Sequence, residues 1–226
     1  IRIAKILGLN KILELSKNLN IYQEIPELLS VSLGAAETTL LNITSAYSSF
    51  VNGGLKVNPT LISRIQDRRG KTIYVPALAG KCVGCDKFII SGEMPSIKKD
   101  NSKIFSEQTA YQITSILEGV VKRGTGKKLR DLNVPLAGKT GTTNNNFDAW
   151  FIGFTSNLVI GVYVGYDSPK TLGKYETGSK AALPIFKDFV KRSIYKDEFK
   201  NFPIPKGIYF APCLLYTSDA ADDDVS

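Results

Sequence analysis

Apolar positions Ile3, Ile6, Leu7, Ile12, Leu15 and Leu19 fall at roughly helical spacing, interrupted at Gly8, and predict helix over residues 1–19. Leu40, Ile43, Tyr47 and Phe50 repeat in the same way, and Asn52-Gly53-Gly54 supplies a stop. Ser106 is placed to cap a third helix running to about Lys122, with Ala110, Ile113, Leu117, Val120 and Val121 on one face. Residues 179–195 predict a closing helix that turns Ala182, Ile185, Phe186, Phe189 and Val190 inward.

Three strand candidates lie between the last two helices: Leu136 to Thr143, Ala149 to Phe154 and Leu158 to Tyr166. The last two are apolar on both faces, which predicts central strands covered by helices on both sides, and Ser156-Asn157 joins them as a hairpin. Residues 61–75 read as two short strands around an Arg69-Gly70 turn, and residues 76–103, rich in Gly, Lys, Pro and Ser, as an irregular insertion. The expected fold is therefore α/β, an antiparallel central sheet flanked by helices. There is no internal repeat.

The chain has 226 residues, enough for one domain with a real core, and its 43% apolar and 22% charged residues are ordinary for a globular protein. No apolar run approaches the roughly 20 residues of a membrane helix. Ile1 opens inside an amphipathic pattern, so the expectation is a chain cut at that edge. From Cys213 the composition changes sharply, and residues 213–226 resemble the translation of a transposon-end adapter from a sequencing library. The net charge is +8, and without the four Asp of that tail the body carries +12. The basic residues are scattered, with no Arg-rich helix and no nucleic-acid motif, so the expectation is a solvated basic surface with no nucleic-acid partner.

Histidine is absent. Ser-His-Asp, Cys-His and His-zinc arrangements are thereby excluded within these residues, and acid–base chemistry falls to Lys, Asp, Glu or Tyr. Cys82-Val-Gly-Cys85 has only Cys213 as a further thiol, too few for a structural zinc. A local disulfide and an unpaired couple both remain open. No metal or cofactor is expected.

The most informative stretch is Gly138-Lys139-Thr140-Gly141-Thr142-Thr143-Asn144. A lone Lys-Thr-Gly recurs by chance, and by itself it reads equally as a polar strand end beside a turn. Here it lies on a predicted strand followed by a short polar loop and the apolar hairpin. Lys139 supplies positive charge, the hydroxyls of Thr140 and Thr142 can donate to carboxylate oxygens, and Gly141 removes a side chain where a ligand must approach. The site suits a substrate that ends in a carboxylate. Trp150 and Phe151 read as core, Asp148 as a residue that orients the loop, and Gly124-Thr-Gly126 as a shaped helix end.

Gly124-Thr-Gly126, Lys139-Thr-Gly-Thr-Thr-Asn144, Asp148-Ala-Trp-Phe151, Gly153 and Val164-Gly-Tyr-Asp167 together resemble class A, bifunctional penicillin-binding proteins. Ser32-Leu-Gly-Ala35, Ala46-Tyr47, Phe50 and Asn52-Gly-Gly54 upstream fit the same pattern, as do Ala181-Ala182, Pro184-Ile-Phe186 and Phe202-Pro-Ile-Pro-Lys-Gly207 downstream. The resemblance spans residues 1–212, read as the C-terminal part of a transpeptidase domain. It implies a peptidoglycan D-Ala-D-Ala transpeptidase or carboxypeptidase that works through an acyl-serine. Stem peptides are the implied substrates, and β-lactams the implied trapping ligands. Lys139, Thr140, Gly141 and Thr142 line the site on this reading, with the Thr142 N–H as the second oxyanion donor. The resemblance also implies an upstream glycosyltransferase domain and a membrane anchor, with this domain on the outer, periplasmic face of the cytoplasmic membrane.

The family's nucleophile motif, S-x-x-K, and its partner S-x-N precede the stretch that resembles residues 1–9. Ser96-Ile-Lys-Lys99, Ser193-Ile-Tyr-Lys196 and Ser16-Lys-Asn18 match these patterns at the wrong places and are read as chance. The expectation is that residues 1–226 alone are inactive. Two other readings are kept: a non-catalytic wall-binding or regulatory module on the same scaffold, and a serine β-lactamase.

Overall fold

The computed structural model describes residues 1–22, 25–75, 81–83, 96–98, 102–193 and 199–211, with backbone alone at 81–83, 96–98 and 193. Helices α1 (Arg2–Leu7) and α2 (Leu9–Asn18) meet at Gly8, whose φ of 86° breaks the run where the sequence predicts it. Their buried side chains are few: Ala4, Leu13 and Ser16, with Leu19 just beyond α2. Ile3 is 73% and Ile6 84% exposed. Helix α3 (Leu40–Val51) starts at Thr39, whose hydroxyl accepts from the Asn42 amide at 3.1 Å. Helix α4 (Glu107–Lys122) starts at Ser106 as expected, the hydroxyl accepting from the Thr109 amide at 3.1 Å. Such a cap typically contributes about 1 kcal/mol.

Strands β1 (Ile65–Gln66) and β2 (Thr72–Tyr74) form the predicted small hairpin. Asp67 closes it, accepting from the amides of Arg69 and Lys71, and Gly70 takes a φ of +80°. Inside the stretch read as irregular, β3 (Lys81–Val83) pairs antiparallel with β4 (Ser96–Lys98), which corrects that expectation for those residues. Residues 76–80, 84–95 and 99–101 of the insertion, Cys85 and Lys99 among them, lie outside the described residues, as do Lys196 and the tail.

The main sheet is β5 (Ala137–Thr142), β6 (Ala149–Phe154) and β7 (Val159–Val164), antiparallel in the order β5-β6-β7. Strand β6 is the true centre, with Ala149, Phe151, Ile152, Gly153 and Phe154 buried. Strand β7, expected to be central, is covered by helices on both faces but pairs on one edge only among the described residues and is half-buried.

Side-chain alternation sends the two faces to different helices. On one face Ala137, Phe154 and Val159 pack with Tyr47 and Phe50 of α3, Leu117 of α4, and Phe202. On the other, Ala149, Phe151, Ile160, Val162 and Val164 pack against helix α5 (Leu183–Ser193) and the turn before it. Phe186 meets Phe151 edge-on with ring centroids 4.9 Å apart. A Cβ on Gly153 would lie 2.5 Å from the Phe186 ring, so this glycine makes the slot that admits it.

The closing helix corrects one expectation. It is buried through Ala182, Leu183, Phe186 and Val190, whereas Ile185 is 52% and Phe189 46% exposed. Leu183, Phe186 and Val190, spaced three and four residues apart, form the buried stripe of α5, and Ile185 and Phe189 lie one residue, about 100°, to its side.

Candidate active site

Strand β5 carries Lys139, Thr140, Gly141 and Thr142, and its register against β6 settles where each group points. The strands pair Thr142 with Ala149, Gly141 with Trp150, Thr140 with Phe151 and Lys139 with Ile152. Just beyond, the Thr143 amide donates to Asp148 O at 3.2 Å. In an antiparallel ladder, hydrogen-bonded and non-hydrogen-bonded pairs alternate. Counting back from Thr143, Gly141 and Lys139 spend their main-chain groups on β6. Gly138, Thr140 and Thr142 point their N–H and C=O groups away from it, to the outer edge.

The side chains converge on that edge. Thr140 and Thr142 share the α5 face of the sheet. Thr140 Oγ1 lies 2.9 Å from Thr125 Oγ1. Thr142 Oγ1 accepts from the Gly178 amide at 3.1 Å. Lys139 starts on the opposite face, but its flexible stem carries Nζ to the edge, where it donates to Thr140 O at 2.7 Å. Lys139 is exposed and has no carboxylate partner among the described residues. An ammonium, two hydroxyls and an outward main-chain N–H thus occupy one strip of sheet edge. That set matches a carboxylate beside a carbonyl oxygen that gains charge.

Two connections fix the strip. The turn after α4 is drawn tight, with the amides of Gly124 and Gly126 both donating to Val120 O, at 3.1 and 2.9 Å. A Cβ at Gly124 would come within 2.9 Å of Val120 Cα. This turn sets Thr125 against Thr140. Ahead of α5, Gly178 is buried against β5, and a Cβ there would lie 2.5 Å from Gly141 O and would strike Trp150 O. Gly141 itself faces Trp150, whose Cβ would be 3.0 Å from a Cβ at 141. Close packing on Trp150, besides any approach of a ligand, therefore favours glycine at 141.

The far end of the strip is held by the β5–β6 turn. Thr143 Oγ1 accepts from the Asp148 amide at 2.8 Å, and Asp148 Oδ1 accepts from the Tyr163 hydroxyl at 2.9 Å. That bond to the carboxylate, with some loss of solvation, raises the Tyr163 pKa above its usual value. Tyr163 also packs on Trp150, centroids 4.6 Å apart. Within the turn Asn145 and Asn146 adopt left-handed φ of 59° and 53°, and Asn146 Nδ2 donates to the carbonyls of Gly173 and Lys174 at 3.0 Å each.

Lys139, Thr140 and Thr142 are brought together on the edge of β5. Thr125, Gly178 and Tyr163 were missed as parts of the site. Thr125 had a signal, its place between two glycines. Gly178 and Tyr163 had none, since their partners lie 36 and 15 residues away. Ser16 is buried and donates to Ile12 O at 2.8 Å inside its own helix, Ser96 lies on β4, and Ser193 ends α5. No group of three or more His, Cys, Asp and Glu that could hold a metal occurs among the described residues.

A family model described as the penicillin binding protein transpeptidase domain matches residues 17–191. Penicillin-binding protein 1A of Rickettsia prowazekii (strain Madrid E) is 45% identical over 212 residues, covering 92% of this chain and 27% of the relative. The protein of that name from Pseudomonas aeruginosa is 34% identical over 215 residues, 82% of this chain and 26% of the relative. Among solved structures, penicillin-binding protein 1A from Haemophilus influenzae superposes with a TM-score of 0.76 at 27% identity, over 91% of this chain and 34% of that one. The chain therefore spans about a quarter of the length of the curated relatives it matches. The fold is that of the penicillin-binding transpeptidases, as the sequence pattern implies.

Proposed function

This chain belongs to the penicillin-binding protein transpeptidase family, and from that membership we propose that its β5 edge is the carboxylate-binding wall of a peptidoglycan D-Ala-D-Ala transpeptidase. Residues 1–212 are the C-terminal part of that domain on this reading, and residues 213–226 are not native to it. Lys139, Thr140 and Thr142 hold the terminal carboxylate of a stem peptide. A serine on a segment that precedes Ile1 attacks the penultimate D-Ala carbonyl, and terminal D-Ala leaves. The amine of a second stem peptide then takes the acyl group. β-Lactams trap the acyl-serine.

The observation that carries this reading is the outward Thr142 amide beside two hydroxyls and an ammonium on the same edge. The amide can hydrogen-bond the carbonyl oxygen as it becomes an oxyanion. Loss of such a donor typically costs about 2.7–4 kcal/mol in barrier. Exposed Ile3, Ile6 and Leu7 give a preceding segment an apolar surface to pack on. The longer protein carries a glycosyltransferase domain and a membrane anchor, with this domain on the outer face of the cytoplasmic membrane.

The test uses labelled penicillin. A chain extended upstream through the nucleophile should label covalently, and Lys139→Ala should abolish or sharply slow labelling. Residues 1–226 alone should not label. Undiminished labelling of the Lys139→Ala chain would remove Lys139 from the site, and stoichiometric labelling of residues 1–226 would place the nucleophile within them.

A further inference from the structure

Thr125 has no part in the reading above, yet its Oγ1 stands 2.9 Å from Thr140 Oγ1. A hydroxyl has one proton to donate and two lone pairs to accept with. The pair therefore has two arrangements. If Thr140 donates to Thr125, its only proton is consumed and it can offer an anion nothing. If Thr125 donates to Thr140, the Thr140 proton is free to turn outward.

On Thr142 the corresponding choice is already made. Its neighbour is the Gly178 N–H, which can only donate. Thr142 Oγ1 accepts there and keeps its own proton for a ligand. Thr140 and Thr142 sit two residues apart on one face of β5, so their protons can serve one anion only if both are released in this way.

We propose that Thr125 is a positioning residue of the anion site: it donates to Thr140 and thereby turns the Thr140 proton toward the bound carboxylate. Thr140 and Thr142 then present a matched pair of O–H donors, each backed by one donor from a neighbouring connection. The tight turn through Gly124 and Gly126 holds the Thr125 hydroxyl at that place. The inference rests on the carboxylate reading of the β5 edge. Thr125 itself touches no substrate.

The experiment compares two probes on the upstream-extended chain: a labelled penicillin with its free carboxylate, and the same penicillin with that group converted to the methyl ester. Thr125→Val keeps the shape and removes the hydroxyl, whereas Thr125→Ser keeps the hydroxyl. Thr125→Val leaves the Thr140 hydroxyl free to rotate among its three staggered positions, so it should lower the acylation efficiency with the acid about threefold while leaving the ester unchanged. Thr125→Ser should restore the acid to near the wild-type rate. Equal losses on both probes, or no loss on the acid, would overturn the proposal by reducing Thr125 to a packing contact. Should Thr125→Val fail to fold, Thr125→Ala supplies the same ratio. A wild-type chain that acylates acid and ester equally well would instead refute the carboxylate reading, and one that labels with neither would refute the acyl-serine reading.

Discussion

The Gly178 amide donates to Thr142 Oγ1 at 3.1 Å across 36 residues of chain, and this bond ties the start of the closing helix to the outer edge of the sheet. It sets the direction of a site hydroxyl with a donor that cannot rotate.

Gly178→Ala should therefore destabilise the fold and disturb the site together. The obstacle is backbone, since the new methyl would lie 2.5 Å from Gly141 O, and backbone gives way less readily than a side-chain tip. Overpacking of this kind costs about 1–3 kcal/mol. The urea midpoint should fall by the corresponding amount with the slope unchanged.

Thr142→Val should show two losses that Thr142→Ser does not. The isosteric methyl leaves the buried Gly178 amide unpaired, which costs about 1–3 kcal/mol in stability. On the proposed carboxylate reading it also removes one donor to the substrate, about 1.5–3 kcal/mol for a charged partner. Denaturant unfolding reads the first loss and β-lactam acylation reads the second.

Phe186→Ala and Ile185→Ala should separate cleanly, although both residues belong to the apolar pattern of one helix. Phe186 is fully buried in the slot at Gly153 and packs on Phe151, so truncation should cost about 3–5 kcal/mol. Ile185 is half exposed and should change stability by about 0.5 kcal/mol or less. Thermal or urea unfolding of the two variants decides it.

The Tyr163–Asp148 bond predicts an alkaline effect with a definite sign. The folded pKa of Tyr163 lies above its usual value of 10.0, because the hydroxyl proton is held by the carboxylate. Stability from this bond is complete below the unfolded tyrosine's pKa and is lost as pH rises through the higher folded one. Asp148→Asn removes the charge but keeps an acceptor oxygen, so Tyr163 should ionise at lower pH than in the wild type. With ten tyrosines in the chain, the measurement is the difference in phenolate absorbance between each protein and its Tyr163→Phe counterpart. An unchanged titration would mean that the bond is absent in solution.

Much of the fold was legible because its signals are local. The break at Gly8, the caps at Ser106 and Asn52, and the strand around Lys139 depend on residues a few positions apart. The misread elements depend on partners far along the chain. Strand β7 has the apolar pattern of a central strand, but whether a strand is central depends on what pairs with its second edge. Ile185 and Phe189 fit a helical stripe as well as Phe186 and Val190 do, but the sheet residues that α5 meets, Ala149 and Phe151, decide which of the two adjacent stripes is buried.

The site divides in the same way. The sequence determined which groups this strip can offer: the Lys139 ammonium, the hydroxyls of Thr140 and Thr142, and main-chain amides. Only the tertiary structure decided their direction. Pairing with β6 leaves the amides of Thr140 and Thr142 facing outward, because hydrogen bonds in an antiparallel ladder alternate. Thr125 and Gly178 reach the hydroxyls from two distant connections. A residue's type limits which hydrogen bonds it can make, and the neighbours that folding brings to it determine which of those it does make.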